Sequence, residues 1–269
     1  MKHLARELII APGSKIKLAH FDPAGTYGVD KSSAAGQLTK NLERLSVLQY
    51  LLYAEGRRSL LVVLQGIDAG GKDGTIKHVM SGLNPQGVSV TSFKVPEGPE
   101  KRHDYLWRIH NAVPEAGKIG IFNRSHYEDV LVVRVHNLVA KQVWRKRFDQ
   151  INDFESMLAG NGTRIVKFLL YISKEEQAKR FRQRLEDKSK AWKFSPADLK
   201  EREHWDEYIE AYEDVLRKCS TEAAPWYLIP ANHKWFRNLA VSQILCETLE
   251  SMDLKFPKPT ADLSSLKFE

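Results

Sequence analysis

Cysteine is scarce in this chain: Cys219 and Cys246 are the only two in 269 residues. Their spacing is not that of a metal-ligand pair, and such sparse use argues against a disulfide-built secreted scaffold. A reducing cytoplasm is the expected location. No stretch approaches the ~20 apolar residues that span a bilayer, so no membrane association is expected. Met1 to Ala11 carries charges where a signal peptide needs a continuous apolar core. Internal repeats and low-complexity tracts are also missing, which argues against solenoids and fibrous assemblies. Acidic residues are outnumbered, 34 Asp+Glu against 41 Lys+Arg, leaving a net charge of +7 that favours an anionic partner. No clustered basic–aromatic stripe or known binding module accompanies that charge, so nucleic acid is not the expected anion. With 42% hydrophobic and 28% charged residues, the chain reads as a globular protein able to bury a sizeable core.

What is present is concentrated in one segment. Leu60-Leu61-Val62-Val63-Leu64 has strand composition and runs through Gln65 into Gly66-Ile67-Asp68-Ala69-Gly70-Gly71-Lys72-Asp73-Gly74. A glycine-rich turn between a strand and a helix start aims backbone N–H groups at one anion, and Lys72 adds a mobile positive charge. Gly66 and Gly71-Lys72 have the spacing of a Walker A P-loop. Two positions are odd. Asp73 stands where Ser or Thr normally holds magnesium, and Thr75 comes two residues too late to replace it. Asp68 puts a carboxylate inside a phosphate cradle, which makes sense if a divalent cation sits between them. Gly66, Ala69, Gly70, Gly71, Asp73 and Gly74 are the expected phosphate-binding residues, with Lys72 supplying charge and Asp68 placing the cation.

Residues 1–36 read as an extended arm without its own core. Helical periodicity starts near Gln37, with Leu38, Leu42, Leu45, Leu48, Leu51 and Leu52 on one face. Later strands are expected at Val88–Phe93, Lys118–Phe122, Arg164–Ile172 and Trp226–Pro230. Helices are expected at about 74–82, 103–112, 138–158, 174–187, 196–218 and 234–252, followed by an irregular tail from Lys255. This alternation predicts a parallel sheet covered on both faces, with the ligand beyond the carboxyl ends of the strands.

A second polar cluster, Asn123-Arg124-Ser125-His126-Tyr127-Glu128-Asp129, follows a strand and should reach the same edge. Arg124 is expected to neutralise a transferring phosphoryl group, and Glu128 or Asp129 to hold metal. His126 is read either as a hydrogen-bonding residue or as part of the chemistry, and Asn123 and His126 are grouped with the nucleotide contacts. Lys94 closes another strand. Asp104 and Arg108 are expected on one helix face, either as a nucleotide-side wall or as a solvated helix anchored by Trp107. The charged segment from Lys174 to Lys218 breaks at Ser195-Pro196. Its basic half, with Lys179, Arg180, Arg182, Arg184, Lys188, Lys190 and Lys193, suits a lid in which Arg180 and Arg184 clamp phosphates.

Taken together these segments resemble the polyphosphate kinase 2 family of P-loop kinases, close in fold to thymidylate kinase, over about residues 37–252. The matches are the loop Gly66–Gly74, Phe122–Asp129, and lid residues Arg180, Arg184, Trp192-Lys193-Phe194, Trp205 and Ala224-Pro225-Trp226. The resemblance accounts for both odd loop positions and implies that Asp68 and Lys72 are catalytic. It implies an α/β three-layer sandwich of P-loop kinase type in one domain, residues 1–269, with a parallel five-stranded sheet and a helical lid at about 174–218. It also implies Mg²⁺ (with Mn²⁺ as an alternative) and phosphoryl transfer between inorganic polyphosphate and a nucleotide. Asn123-Arg124-Ser125-His126-Tyr127-Glu128 looks like the class that uses both AMP and ADP. Asn123 replaces a carboxylate found in other members, leaving Asp68 with Glu128 or Asp129 as the expected metal shell. ATP as product, guanine nucleotides as alternative substrates and a homo-oligomer (dimer or tetramer) complete the expectations. The rival is an ATP-dependent nucleoside monophosphate kinase of the thymidylate kinase type.

Overall fold

A computed structural model describes residues 4–189 and 191–259, so Met1–His3, Lys190 and the last ten residues lie outside the described residues. In chain order the elements are α1 Leu4–Leu8, β1 Ile9–Ile10, α2 Lys31–Glu55, β2 Ser59–Gln65, α3 Lys72–Val79, β3 Val88–Ser92, α4 Trp107–His110, β4 Ile119–Asn123, α5 Val132–Val135, α6 Lys141–Gly160, β5 Thr163–Tyr171, α7 Lys174–Glu186, α8 Pro196–Glu203, α9 Trp205–Cys219, β6 Trp226–Pro230 and α10 Lys234–Ser251. The strands form one sheet in the order β1-β6-β5-β2-β4-β3.

Central strand β2 is buried at every residue and divides its side chains between two cores. Leu61 and Val63 pack with Phe122, Ile165, Leu169 and Trp226 beneath α6 and α9. Leu60, Val62 and Leu64 pack with Ile121, Phe168 and Ile229 beneath α2 and α10. Each fully buried side chain of this size contributes roughly 1.5–3 kcal/mol, so both faces must be covered, and the α/β sandwich follows. Among the described residues, no helix is long and apolar enough to cross a membrane.

The sheet has six strands, where five parallel ones are expected. The additional one, β1, runs antiparallel, pairing Ile9 with Tyr227 and Ile10 with Trp226. Two residues are too few for any alternation signal. The amino-terminal segment is correspondingly less bare than it reads, since Leu4, Leu8, Ile10 and Leu18 are buried. α2 begins at Lys31, earlier than Gln37, because the Asp30 carboxylate caps it by accepting from the Ser32 N–H at 3.1 Å. The 103–112 helix shrinks to α4, since His103 is extended at the end of a 3₁₀ turn, Gly98–Arg102. Residues 138–140 lie outside α6, which starts at Lys141. Ser195 and Asp198 form a capping box with Pro196 in the first turn, which starts α8 where the Ser-Pro break predicts it. A second break at His204 separates α8 from α9.

Connectivity fixes where a ligand can sit. β2 pairs in parallel with β4 on one side and β5 on the other. The chain leaves β2 for edge strand β3, returns to β4, then crosses β2 to reach β5. The carboxyl ends of β2 and β4 therefore border the crevice where the winding changes direction.

Candidate active site

The loop after β2 is held by backbone chemistry that only certain residues permit. Gly66 has φ +151°, and a Cβ there would lie 2.7 Å from the Leu170 carbonyl oxygen of the neighbouring strand. Gly71 has φ +111° and caps α3. Ala69 takes φ +61° without being glycine, a strained conformation imposed by its surroundings. Those surroundings are α7. Arg180 donates to the carbonyls of Ala69 at 2.9 Å and Gly70 at 3.0 Å, and also to Ala231 at 2.5 Å and Asn232 at 3.2 Å. Gln177 donates to the Asp68 carbonyl at 3.0 Å.

Lys72 folds back over the loop, with Nζ donating to the Gly66 carbonyl at 2.5 Å and approaching that of Ile67 at 3.4 Å. It is 9% exposed. Burial, followed by the neighbouring Arg124 guanidinium, pushes its ammonium down to about 8, against the pull of Asp68, Glu128 and Asp73. Thr75 turns its hydroxyl to the Gly71 carbonyl at 3.1 Å and away from the cradle. Asp73 accepts from the Asn123 amide at 2.9 Å. The two unusual positions thus answer each other, because a carboxylate at 123 would face that of Asp73.

The turn after β4 sorts its residues between site and core. Arg124 has φ +63° and donates through Nη2 to Asp68 at 2.8 Å, with Nη1 3.8 Å from Glu128. Desolvation opposes the Arg124 charge, but Glu128 and Asp68 outweigh it and raise the guanidinium further. Burial raises the Glu128 carboxyl despite Arg124 and Lys72. Asp68, Lys72, Arg124 and Glu128 therefore form one cluster of alternating charge.

Several expected contacts are not brought to that cluster. His126 is fully buried, with Nε2 3.0 Å from Glu155, so it cannot reach a nucleotide in the cleft. Asp129 pairs with Arg147 at 2.8 Å, and Glu128 is the carboxylate that faces Asp68's cavity. Asp104 caps the following turn by accepting from the Leu106 N–H at 2.9 Å. Arg108 is spent on the Lys94 carbonyl at 2.7 Å and Glu100 at 3.2 Å. A 3₁₀ turn, His126–Asp129, explains the first two, since its threefold period sets His126 and Asp129 on one side, where both are buried. Arg184 lies 3.9 Å from Asp198, linking α7 to α8.

Two cavities open on the cluster. One, of about 240 Å³, lies between the Glu128 turn and α8–α9, lined by Leu131, Val132, Trp205, Tyr208 and Tyr212 with Gln177 and Glu201. The other, of about 1250 Å³, is strongly basic, with Lys72, Lys77, Lys94, Arg180, Arg184, Lys234 and Arg237. Asp68, Arg124 and Asp198 line both. Arg237 and, in the aromatic wall of the smaller cavity, Tyr208 and Tyr212 carry no motif, whereas Trp205 is a lid residue of the family resemblance. For Arg237, its place amid Phe236, Leu239, Ala240 and Val241 was the only available hint.

Among the described residues no group of three or more His, Cys, Asp or Glu is arranged to hold a metal alone. Asp68 and Glu128 nevertheless suit magnesium, which commonly takes one or two carboxylates and completes its shell with water and substrate phosphates. Burial disfavours the charged form of Glu128, and such a cation would favour it.

The chain has relatives of known sequence and structure. The model of the family Polyphosphate kinase 2 matches residues 28–257. An AMP/ADP-polyphosphate phosphotransferase of Meiothermus ruber is 54% identical over 252 residues, covering 93% of this chain and 94% of that one. An ADP-polyphosphate phosphotransferase of Rhodopseudomonas palustris is 45% identical, covering 97% and 94%. The crystal structure of polyphosphate kinase 2 from Arthrobacter aurescens TC1 superposes with a TM-score of 0.94 at 45% identity, over 98% of this chain and 95% of that one. With the family model matched over residues 28–257 and relatives matched over nearly the whole length, the chain belongs to the polyphosphate kinase 2 family.

Proposed function

We propose that this protein transfers a phosphoryl group between inorganic polyphosphate and AMP or ADP. The observation that carries the reading is the pair of cavities meeting at Asp68 and Arg124, one small and aromatic, the other about five times larger and basic. A nucleoside fits the first, since stacking faces and a few polar groups are what a base needs. A linear polyanion with roughly one charge per phosphate fits the second, which exceeds what a single nucleotide requires.

Phosphoryl transfer depends on positioning and charge neutralisation. The loop N–H groups hold the donor phosphates, and Lys72 leaves the Gly66 carbonyl to neutralise them. Arg124 spans the junction and stabilises charge on the equatorial oxygens during transfer. Arg180 acts on the loop's shape by fixing the Ala69 and Gly70 carbonyls, while Arg184 faces the basic cavity with Lys94. Asp68 and Glu128 would hold magnesium, which supplies further charge neutralisation when bound. A cytoplasmic, homo-oligomeric enzyme that also admits guanine nucleotides extends the same reading.

Purified protein with magnesium, long-chain polyphosphate and ADP should form ATP with no ATP added. With AMP, ADP should appear before ATP in a preparation free of adenylate kinase. Transfer only from ATP to a monophosphate, with polyphosphate inert, would reassign the protein to the ordinary nucleotide kinases.

A further inference from the structure

Arg237, near the start of α10, is 2% exposed and lines the basic cavity. Its Nε and Nη2 share one neutral partner, the Asn238 side-chain oxygen, at 3.1 and 2.8 Å. Among the described residues it has no carboxylate partner. The charge that acts on it is another cation, Arg180, and burial together with that neighbour pushes its guanidinium down to about 10. A buried cation left without an anion is costly unless something else supplies the charge.

Its position says what that is. Arg237 lies against the phosphate loop and the first turn of α3. A Cβ at Gly71 would collide with Nη1, and one at Gly74 would come within 3.2 Å of Nη2. The two glycines therefore admit a guanidinium beside the helix start that closes the anion cradle. Nη1 has no hydrogen-bond partner among the described residues. Buried arginines that brace structure normally spend their donors on carbonyls, as Arg180 does here with four.

We propose that Arg237 is a phosphate-binding residue of the donor cavity, its guanidinium meeting a phosphate oxygen of the polyphosphate chain beside Gly71. The proposal rests on the donor reading above and adds a residue that neither the loop motif nor the lid contains. It also fixes the sign of a stability effect: the residue costs the ligand-free protein stability and returns it when the polyanion binds.

The test compares wild type with Arg237→Met, which keeps the stem and removes the charge. At saturating ADP, the KM for polyphosphate should rise about tenfold, the scale of one lost hydrogen bond to a charged group. The KM for ADP should change by less than about twofold, because the smaller cavity is untouched. Without ligand, the variant's Tm should equal or exceed that of wild type, while tripolyphosphate should raise it by less than it raises wild type. Arg237→Lys should fall between the two in KM for polyphosphate. An unchanged KM for polyphosphate in Arg237→Met would refute the inference alone. A variant that melts several degrees lower or does not fold would identify Arg237 as a structural brace and refute it too. A wild type that makes no ATP from polyphosphate would refute the functional reading, and the inference with it.

Discussion

Lys72→Ala should leave the protein folded and lower turnover with polyphosphate about 10³-fold, the scale seen when a preorganised charge is removed from a transition state. Lys72 is buried against the Gly66 carbonyl and its ammonium is already pushed down to about 8, so deleting it removes little native stability. The lowered value also predicts a pH profile. Only the protonated amine attracts phosphate, so kcat/KM for polyphosphate should fall above about pH 8, by up to tenfold per unit. Stability should move the other way. The folded value lies below the unfolded 10.5, so the unfolded chain binds more protons between about 8 and 10.5 and Lys72's contribution to stability grows across that window. Parallel pH profiles of kcat/KM and of ligand-free Tm would check both. An alkaline limb that survives in a residually active Lys72→Ala variant would assign the ionisation to another group.

The second large effect lies beneath the site. Lys167 on β5 is fully buried and donates to Glu155 at 2.5 Å, Tyr127 at 2.8 Å and the Cys219 carbonyl at 2.7 Å. Glu155 also meets His126 and the Tyr127 hydroxyl, at 3.0 and 2.9 Å. Burial alone would raise the Glu155 carboxyl, but Lys167 and His126 more than reverse that and hold it below its ordinary range. Lys167→Met leaves a carboxylate stranded in the core and should cost about 3–5 kcal/mol, a large part of a typical domain's stability. Glu155→Leu strands the ammonium and should cost a similar amount. The double variant should recover part of the loss, because no charge is left stranded, although the His126 ring, the Tyr127 hydroxyl and the Cys219 carbonyl lose partners. Urea unfolding of the three proteins measures this, and losses that simply add in the double variant would contradict it.

That network also explains what was hard to read from the sequence. The loop was legible because a phosphate cradle needs its glycines and lysine contiguous, and the strand before it is an unbroken apolar run. The turn after β4 was legible only in part. Arg124 and Glu128 reach the cleft, but His126 and Tyr127, from the same five residues, turn inward onto Glu155 and Lys167, which come from α6 and β5. Periodicity rules for strands and helices do not apply inside a 3₁₀ turn, so His126 and Asp129 could not be sorted from their neighbours. Asp104 and Arg108 were placed on a helix that the chain does not form at Asp104. Trp205 was legible only through the family resemblance, while Arg237, Tyr208 and Tyr212 were missed for another reason. They reach the site through tertiary packing from far along the chain, and nothing local marks them.

The central claim is that donor and acceptor occupy separate cavities at the same time and meet at Asp68 and Arg124. Initial rates of ATP formation, with polyphosphate and ADP varied together, test it most directly. Simultaneous occupancy predicts double-reciprocal lines that intersect, because the phosphoryl group passes only when both substrates are bound. Parallel lines would require release of the shortened polymer before ADP binds, with a phosphorylated protein between, and would contradict the account.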